Sequence, residues 1–161
     1  MDGHPRQAAS RGGDSASKGD VAAIDAIVAS FFAAFCNVDG PAPTSRVYDL
    51  CLPQAVVIKA VGAAPEIYSL REFIEPRIAL LRGPELTGFR EWELDRLMTI
   101  DGNIAQRRST YEKSGVASGR PFVTRGVKIF QFVRLPGGWK ISAVAWDDRE
   151  SDAPLTAPGS Q

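Results

Sequence analysis

Histidine is almost absent from this chain of 161 residues. His4 is the single histidine, and it lies in an N-terminal stretch rich in glycine and serine. Imidazole is the most frequent general base and metal ligand of proteins near neutral pH. We therefore expect no histidine base, no His-Asp dyad and no histidine metal site in the folded part of the protein.

Cysteine is scarce as well. Cys36 and Cys51 stand in apolar surroundings, and no Cys-x-x-Cys spacing occurs. Isolated thiols of this kind are typical of small buried residues in a reducing compartment. Zinc and calcium spacings, the Gly-x-Gly-x-x-Gly pattern and the P-loop are missing too, so we expect no metal, no nucleotide and no other cofactor.

Long apolar runs and an excess of either charge are also missing. No stretch approaches the roughly 18 residues of a membrane span, and Lys plus Arg equal Asp plus Glu at 19 each. These features predict a soluble, cytoplasmic protein that binds neither membranes nor nucleic acid. The ends are poor in large apolar residues, so we expect a folded domain over 20–148, a disordered tail at 1–19 and a flexible tail at 149–161.

The strongest positive pattern is a pair of β-hairpins in the last third of the chain. Segments 89–113 and 122–146 each contain two β-rich halves on either side of a tight-turn sequence, Asp-Gly at 101–102 and Pro-Gly-Gly at 136–138. They predict a curved meander of four antiparallel strands of about ten residues. On the first strand, alternation puts one row toward the helices and three acidic residues on the other face. The first row is Trp92, Leu94, Met98 and Ile100, and the acidic residues are Glu91, Glu93 and Asp95.

The first half of the chain has helical periodicity. Apolar residues recur at three- and four-residue spacing from Asp20, a good N-cap, to Phe35. Thr44 can cap a short second helix, and segments 56–61 and 67–68 are typical of a short strand pair.

A third helix is predicted by the capping box formed by Ser69 and Glu72. It should end at Gly83. Pro76 lies seven residues after the cap and predicts either a kink or a later start.

This order of elements predicts an α+β fold with the helices on one face of the sheet. It resembles the NTF2-like (SnoaL-like) superfamily over residues 20–148. The landmarks that carry the resemblance are FFAAF at 31–35, LPQAVV at 52–57 and GWKI at 138–141. The resemblance implies a cystatin-like cone, in which three N-terminal helices pack on a strongly curved, mostly antiparallel sheet around a pocket.

The resemblance does not extend to the best-known catalytic groups of that superfamily. Ketosteroid-isomerase-like members carry an aspartate base near the end of the first strand, where this chain has Lys59. Their tyrosine has no counterpart on the first helix, which offers Phe31 and Phe32. Dehydratase-like members use histidine and aspartate, and His4 alone cannot supply that pair. Whether this protein is an enzyme stays open at this point.

Lys59 and two arginines are the charged residues of most interest. The Lys59 ammonium either reaches water along its stem or pairs with Glu91, Glu93 or Asp95, and a lysine with a depressed pKa could act as a base. Arg77 and Arg125 are candidates to neutralise an anionic ligand or are ordinary surface arginines. The tryptophans are core or interface residues in one interpretation and stacking surfaces for a ligand in the other. The candidate pocket residues are Phe32, Phe35, Lys59, Trp92, Glu93, Tyr111, Arg125 and Trp146.

Two functions follow from these patterns. The first is binding of a small hydrophobic or amphipathic molecule in the cone, with the further option of a cofactor-free enzyme of lyase or isomerase type. The alternative is a module for dimerisation or protein interaction, because one strand carries an outward row of mostly apolar residues. That row is Val127, Ile129, Gln131 and Val133. The two functions are compatible, since a homodimer formed through the sheet can keep a pocket in each subunit.

Overall fold

Helices and strands alternate in the order expected from the sequence. The computed structural model describes residues 13–149; the tails expected at either end lie largely outside them. Helix α1 spans Gly13–Ala33, a 3-10 turn at Thr44–Arg46 leads into the short helix α2 at Val47–Leu50, and helix α3 spans Leu70–Arg82. The strands are β1 (Cys51–Lys59), β2 (Glu66–Ser69), β3 (Leu86–Asp101), β4 (Ile104–Ala117), β5 (Arg120–Leu135) and β6 (Gly138–Arg149).

The six strands form one mixed sheet in the order β2-β1-β6-β5-β4-β3. Strands β1 and β6 are parallel, and the other neighbours pair antiparallel. The helices cover one side of the sheet, which we call the inner face, and their apolar side chains share one core with it. The α+β class is confirmed. Three α-helices are present, and the third follows the strand pair β1-β2 as the sequence predicted. The mostly antiparallel sheet has one parallel pair, β1-β6.

The two expected hairpins are confirmed, and β4 and β5 form the third hairpin connection of the predicted meander. Asp101 pairs with Ile104 across Gly102, whose φ of +59° suits glycine, and Leu135 pairs with Gly138. The first turn is centred one residue later than the Asp-Gly sequence predicts. This third hairpin turns at Ser118 and Gly119, both with positive φ, and the position of its turn was not predicted. Strands β3 to β6 are therefore 12 to 16 residues long instead of about ten.

Helix α1 begins earlier than predicted. Because the helix already starts at Gly13, Asp20 lies inside it and is not its N-cap. The Asp20 carboxylate instead accepts a hydrogen bond from Trp139 Nε1 at 3.0 Å and forms an ion pair with Arg134 at 3.1 Å. These contacts fasten α1 to the β5-β6 hairpin. The apolar stripe is confirmed, and Phe31, for example, packs edge-on against Phe130.

Helix α3 starts where its capping box predicts. The Ser69 side chain accepts from the Glu72 amide, and the Glu72 side chain accepts from the Ser69 amide. The helix then continues through Pro76 to Arg82, so the later start is wrong. The capping box fixes the first turn, which leaves Pro76 to interrupt only one backbone hydrogen bond in the interior. Thr44 caps no helix, because its hydroxyl donates to the Ala34 carbonyl at 2.8 Å.

The side-chain alternation of β3 is reversed near its middle, which the simple pattern did not predict. A register shift between Glu93 and Asp95 marks a β-bulge, and a bulge adds one residue that reverses the alternation. Before the bulge, Glu91 and Glu93 point to the inner face, and after it Arg96, Met98 and Ile100 do so. The expected placement of Met98 and Ile100 is confirmed. The placements of Leu94, Glu91 and Glu93 were wrong for this reason.

A glycine on β5 leaves room for the side chain of Tyr111 to lie over that strand. Tyr111 on β4 pairs with Gly126 on β5, which in turn pairs with Asp148 on β6. The fully buried phenol of Tyr111 lies across Gly126 and donates a short hydrogen bond to Asp148. A Cβ added at Gly126 would stand 2.4 Å from that phenol oxygen, closer than real Cβ contacts allow. Position 126 therefore requires glycine.

Candidate functional site

A cavity of about 170 Å³ lies between α1, α3 and the inner face of the sheet. Its apolar lining comes from both helices and from the sheet, and charged groups stand among the aromatic rings. We call it the inner cavity. Its lining includes Phe31, Phe35, Lys59, Phe73, Arg77, Leu86, Glu91, Lys113, Lys128 and Trp146.

The structure brings three of the eight candidate residues together in this cavity. Phe35, Lys59 and Trp146 line it. Phe32, Trp92 and Glu93 instead line a separate open groove between α1 and β3. Tyr111 is buried behind the cavity wall.

Arg125 lies outside both sites, so its predicted place in the pocket has to be corrected. Its side chain is 62% exposed and forms an ion pair with Glu112 at 2.7 Å. Position 125 alternates with the buried Lys128 row of β5, so its side chain points away from the inner face.

The centre of the inner cavity is a buried ion pair between Lys128 and Glu91, which the sequence did not predict. Lys128 Nζ lies 2.5 Å from Glu91 Oε1, and the two side chains are only 6% and 7% exposed. Apart from this lysine, no donor among residues 13–149 reaches Glu91 Oε1. The ammonium also lies over the Tyr111 ring at 4.1 Å and the Trp146 ring at 4.8 Å. Aromatic faces attract a desolvated cation, so they add to the stabilisation from Glu91.

The sequence of β5 contains a signal for Lys128. It lies on the opposite face of the strand from the outward row that begins at Val127. Lys128, Phe130 and Phe132 alternate on β5, and all three are buried. A lysine in phase with two phenylalanines on a long strand indicates an inward ammonium. Such an ammonium requires a counter-charge.

Burial sets the protonation behaviour of this pair and its neighbours. Removal from water lowers the pKa of Lys128, and the negative charge of Glu91 opposes that shift. Burial also raises the pKa of Tyr111, and its hydrogen bond to Asp148 raises it further. For Asp148, burial favours the neutral acid, but the hydrogen bonds from Lys113 and Tyr111 prevail and lower the pKa. Asp148 therefore stays ionised and holds Lys113 at 2.7 Å.

Two further cations line the inner cavity without a carboxylate partner among the described residues. Arg77 donates to the Phe73 carbonyl at 3.1 Å and lies 3.8 Å above the Phe73 ring. Burial lowers the pKa of Arg77 to about 10. Lys59 is half-buried at the end of β1, and no carboxylate of residues 13–149 lies within ion-pair distance of it.

The three acidic partners expected for Lys59 are engaged elsewhere. Glu91 pairs with Lys128, and Glu93 pairs with Arg107. Asp95 accepts a hydrogen bond from the Arg96 amide at 2.8 Å. The bulge of β3 explains these contacts, because it turns Glu91 and Glu93 inward and Asp95 outward.

The groove between α1 and β3 is closed at its base by a second charge network. Arg107 is 2% exposed and donates to both carboxylate oxygens of Glu93, at 3.0 and 2.5 Å. It also reaches Asp25 on α1 at 2.5 Å, and Ser109 donates to Glu93. Each charge in the network has a partner, which makes it a structural connection between α1 and the sheet.

The segment after α1 positions β3, and with it Glu91. The Asn37 side chain donates to the carbonyls of Leu81 and Leu86 at 3.1 and 2.9 Å and accepts from the Phe89 amide at 2.7 Å. The Glu91 amide donates to Cys36 Sγ at 3.4 Å. Asn37 follows the apolar stripe of α1, and no sequence motif indicates this role. Its amide in fact joins α1, α3 and β3 at the edge of the inner cavity.

The chemistry of the described residues gives no support to a metal or a reactive thiol. No group of three or more Cys, Asp, Glu or His side chains suited to a metal ion occurs in the described part of the chain. Burial raises the pKa of Cys51 to about 12, which keeps that thiol protonated and unreactive. No helix within 13–149 is long and apolar enough to cross a membrane.

Comparison with solved structures identifies the architecture. An NTF2-like superfamily protein from Salmonella enterica serovar Typhimurium superposes with a TM-score of 0.69 at 14% identity, over 88% of this chain and 99% of the other. The chain has the NTF2-like fold. An NTF2-like protein with a cystatin-like fold from Novosphingobium aromaticivorans gives 0.62 at 16% identity, over 87% and 88% of the two chains.

A third structure with a cystatin-like fold gives the same result. This uncharacterised protein from Caulobacter vibrioides has a TM-score of 0.65 at 15% identity, over 83% of this chain and 92% of the other. No family model matches the sequence, and no curated protein matches it either. At these identities the NTF2-like neighbours establish the fold alone.

Breaking the Lys128–Glu91 pair from either side should destabilise the protein. We expect Lys128→Met and Glu91→Leu each to lower the free energy of unfolding by about 3–5 kcal/mol, because each leaves one buried charge without its partner. The double variant should recover most of this loss. Urea unfolding followed by circular dichroism measures all three. Arg125→Met, at the exposed pair, is the control and should cost less than about 1 kcal/mol. A double variant as unstable as the sum of the singles would contradict the pairing.

Proposed function

We propose that the protein binds a small molecule in the inner cavity. The observation that carries the proposal is a cavity walled by aromatic rings and containing a desolvated ion pair. Ligand sites in proteins combine such apolar walls with a few convergent polar groups. Phe31, Phe35, Phe73 and Trp146 supply the walls, and Lys128 with Glu91 supplies polarity.

The size of the cavity limits the ligand. A volume of about 170 Å³ accepts one ring with a short substituent. For comparison, an engineered apolar cavity of about 150 Å³ holds benzene. The proposed ligand is therefore a single-ring molecule rather than a steroid, a nucleotide or a lipid chain.

The geometry supports binding more directly than catalysis. A general base must be free to reach a proton on the substrate. Glu91 is the one carboxylate that lines the inner cavity, and Lys128 already holds one of its oxygens. A cofactor-free lyase or isomerase would have to use this pair as its acid and base, so we place the binding function first and catalysis second.

Filling the cavity should abolish binding. Leu86 is a half-buried lining residue, so Leu86→Phe places extra volume where the ligand would sit. We expect phenol to bind the wild-type protein saturably and Leu86→Phe at least about tenfold more weakly. Calorimetry measures the affinity.

The matched control is Leu135→Phe, which adds the same volume at an exposed position on β5 and should leave binding unchanged. Two results would contradict the proposal. The first is no saturable binding of phenol or of similar single-ring probes to the wild-type protein. The second is equal binding by the wild type and Leu86→Phe.

The outer face of the sheet supports a second candidate function, the formation of a homodimer. Leu97 and Ile104 are 68% and 57% exposed there, beside the outward apolar row of β5. Exposed apolar surface of this kind is typical of contact sites. We expect light scattering at high micromolar concentration to give the mass of two chains, and Ile104→Glu to give the mass of one. A monomeric wild-type protein would exclude this function.

A further inference from the structure

We propose that the ligand of the inner cavity is a single-ring monocarboxylate whose carboxylate is bound by Arg77 and Lys59. This inference rests on the proposed binding function and adds the chemical class of the ligand. It comes from the distribution of charge around the cavity wall.

The lining of the inner cavity has more positive than negative charge. Four cations line it, namely Lys59, Arg77, Lys113 and Lys128, whereas Glu91 is the one lining carboxylate. Glu91 neutralises Lys128, and Asp148 behind the wall neutralises Lys113. Arg77 and Lys59 have no carboxylate within ion-pair distance among residues 13–149. Glu66 on β2, the register partner of Lys59, raises the pKa of Arg77 through its charge from beyond ion-pair distance, and it does not line the cavity. On the cavity side, two positive charges therefore remain available to a ligand.

Arg77 and Lys59 belong to the same part of the wall. Arg77 lies over the Phe73 ring, and that ring packs against Trp146 at 5.4 Å between centroids. Trp146 is the register partner of Lys59 across the β1-β6 pair. The two cations thus flank one continuous aromatic surface. A ring stacked on this surface would place its substituent near both of them.

Arg77 is suited to a carboxylate in particular. A guanidinium offers two parallel N–H groups, which match the two oxygens of a carboxylate. The contacts of Arg77 within the protein use the Phe73 carbonyl and the faces of the Phe73 and Tyr68 rings. Desolvating a cation without a counter-charge is unfavourable, and an anionic ligand would offset that penalty.

A positively charged ligand is not suited to this cavity. A cationic ligand would meet two unpaired positive charges and a carboxylate already held by Lys128. A larger dianion or a polyphosphate exceeds the space of about 170 Å³. The charge and the volume together select a small aromatic or alicyclic acid.

The test compares three probes of one shape and different charge. Benzoate, benzamide and benzylamine are titrated by calorimetry into the wild-type protein at pH 7. We expect benzoate to bind at least about tenfold more tightly than benzamide, because a hydrogen bond to an ionised group is stronger than a neutral one. Benzylamine should bind most weakly.

Variants then assign the carboxylate contacts. Arg77→Gln should weaken benzoate about ten- to hundredfold and leave benzamide within about twofold. Arg77→Lys should retain part of the benzoate affinity that Arg77→Gln loses, because lysine keeps the positive charge but lacks the two parallel N–H groups of a guanidinium. Lys59→Gln, at a half-exposed position, should weaken benzoate with little effect on folding. Arg125→Gln, at the exposed ion pair with Glu112, is the matched control and should leave the affinity unchanged.

Failure of this inference can be distinguished from failure of the binding function. If benzamide binds the wild type as tightly as benzoate, or if neither Arg77→Gln nor Lys59→Gln weakens benzoate, the carboxylate assignment is overturned and binding stands. If none of the three probes binds, both are overturned. Unchanged benzamide affinity in Arg77→Gln shows that the cavity is intact, so a loss for benzoate alone supports the inference.

Discussion

The buried ammonium of Lys128 is the constraint on which the rest of this structure depends. An ammonium removed from water needs a counter-charge, and Glu91 on β3 supplies it at 2.5 Å. Glu91 points inward because it precedes the bulge between Glu93 and Asp95. The same bulge lets the later part of β3 present Met98 and Ile100 to the core. A strand without the bulge could not present both Glu91 and Met98 to the inner face. With regular alternation, one of the two residues would point outward.

Several contacts hold β3 in the position that this pair requires. Cys36 and Asn37, in the turn that follows α1, bind the backbone of β3 on either side of residue 90. Arg107 joins α1 to the sheet through Asp25 and Glu93. These contacts fix the distance between helix and sheet. The inner cavity lies in the space that this distance leaves, and its charged wall is therefore a consequence of how β3 is fastened.

Much of the fold could be predicted from local patterns. The capping box at Ser69, the apolar stripe of α1 and the turns near 102 and 137 depend on neighbouring residues, and the structure has all of them. The site could be predicted only in part, because its determinants are long-range. The bulge of β3 has no clear local sequence signal, and the partner of Lys128 lies 37 residues away in sequence. Lys59 was singled out because it lies at the end of a short strand, whereas Lys128, in phase with Phe130 and Phe132, is the buried lysine of residues 18–149.

The most direct test of this account is the titration of Lys128 Nζ by heteronuclear NMR, in the wild type and in Glu91→Gln. Burial should place the pKa of Lys128 below the ordinary lysine value of 10.5. Loss of the Glu91 charge should lower it further, because that charge favours the ammonium. If Lys128 titrates near 10.5 with the surface lysines, or if its pKa is the same in both proteins, the buried pair at the centre of this account does not exist.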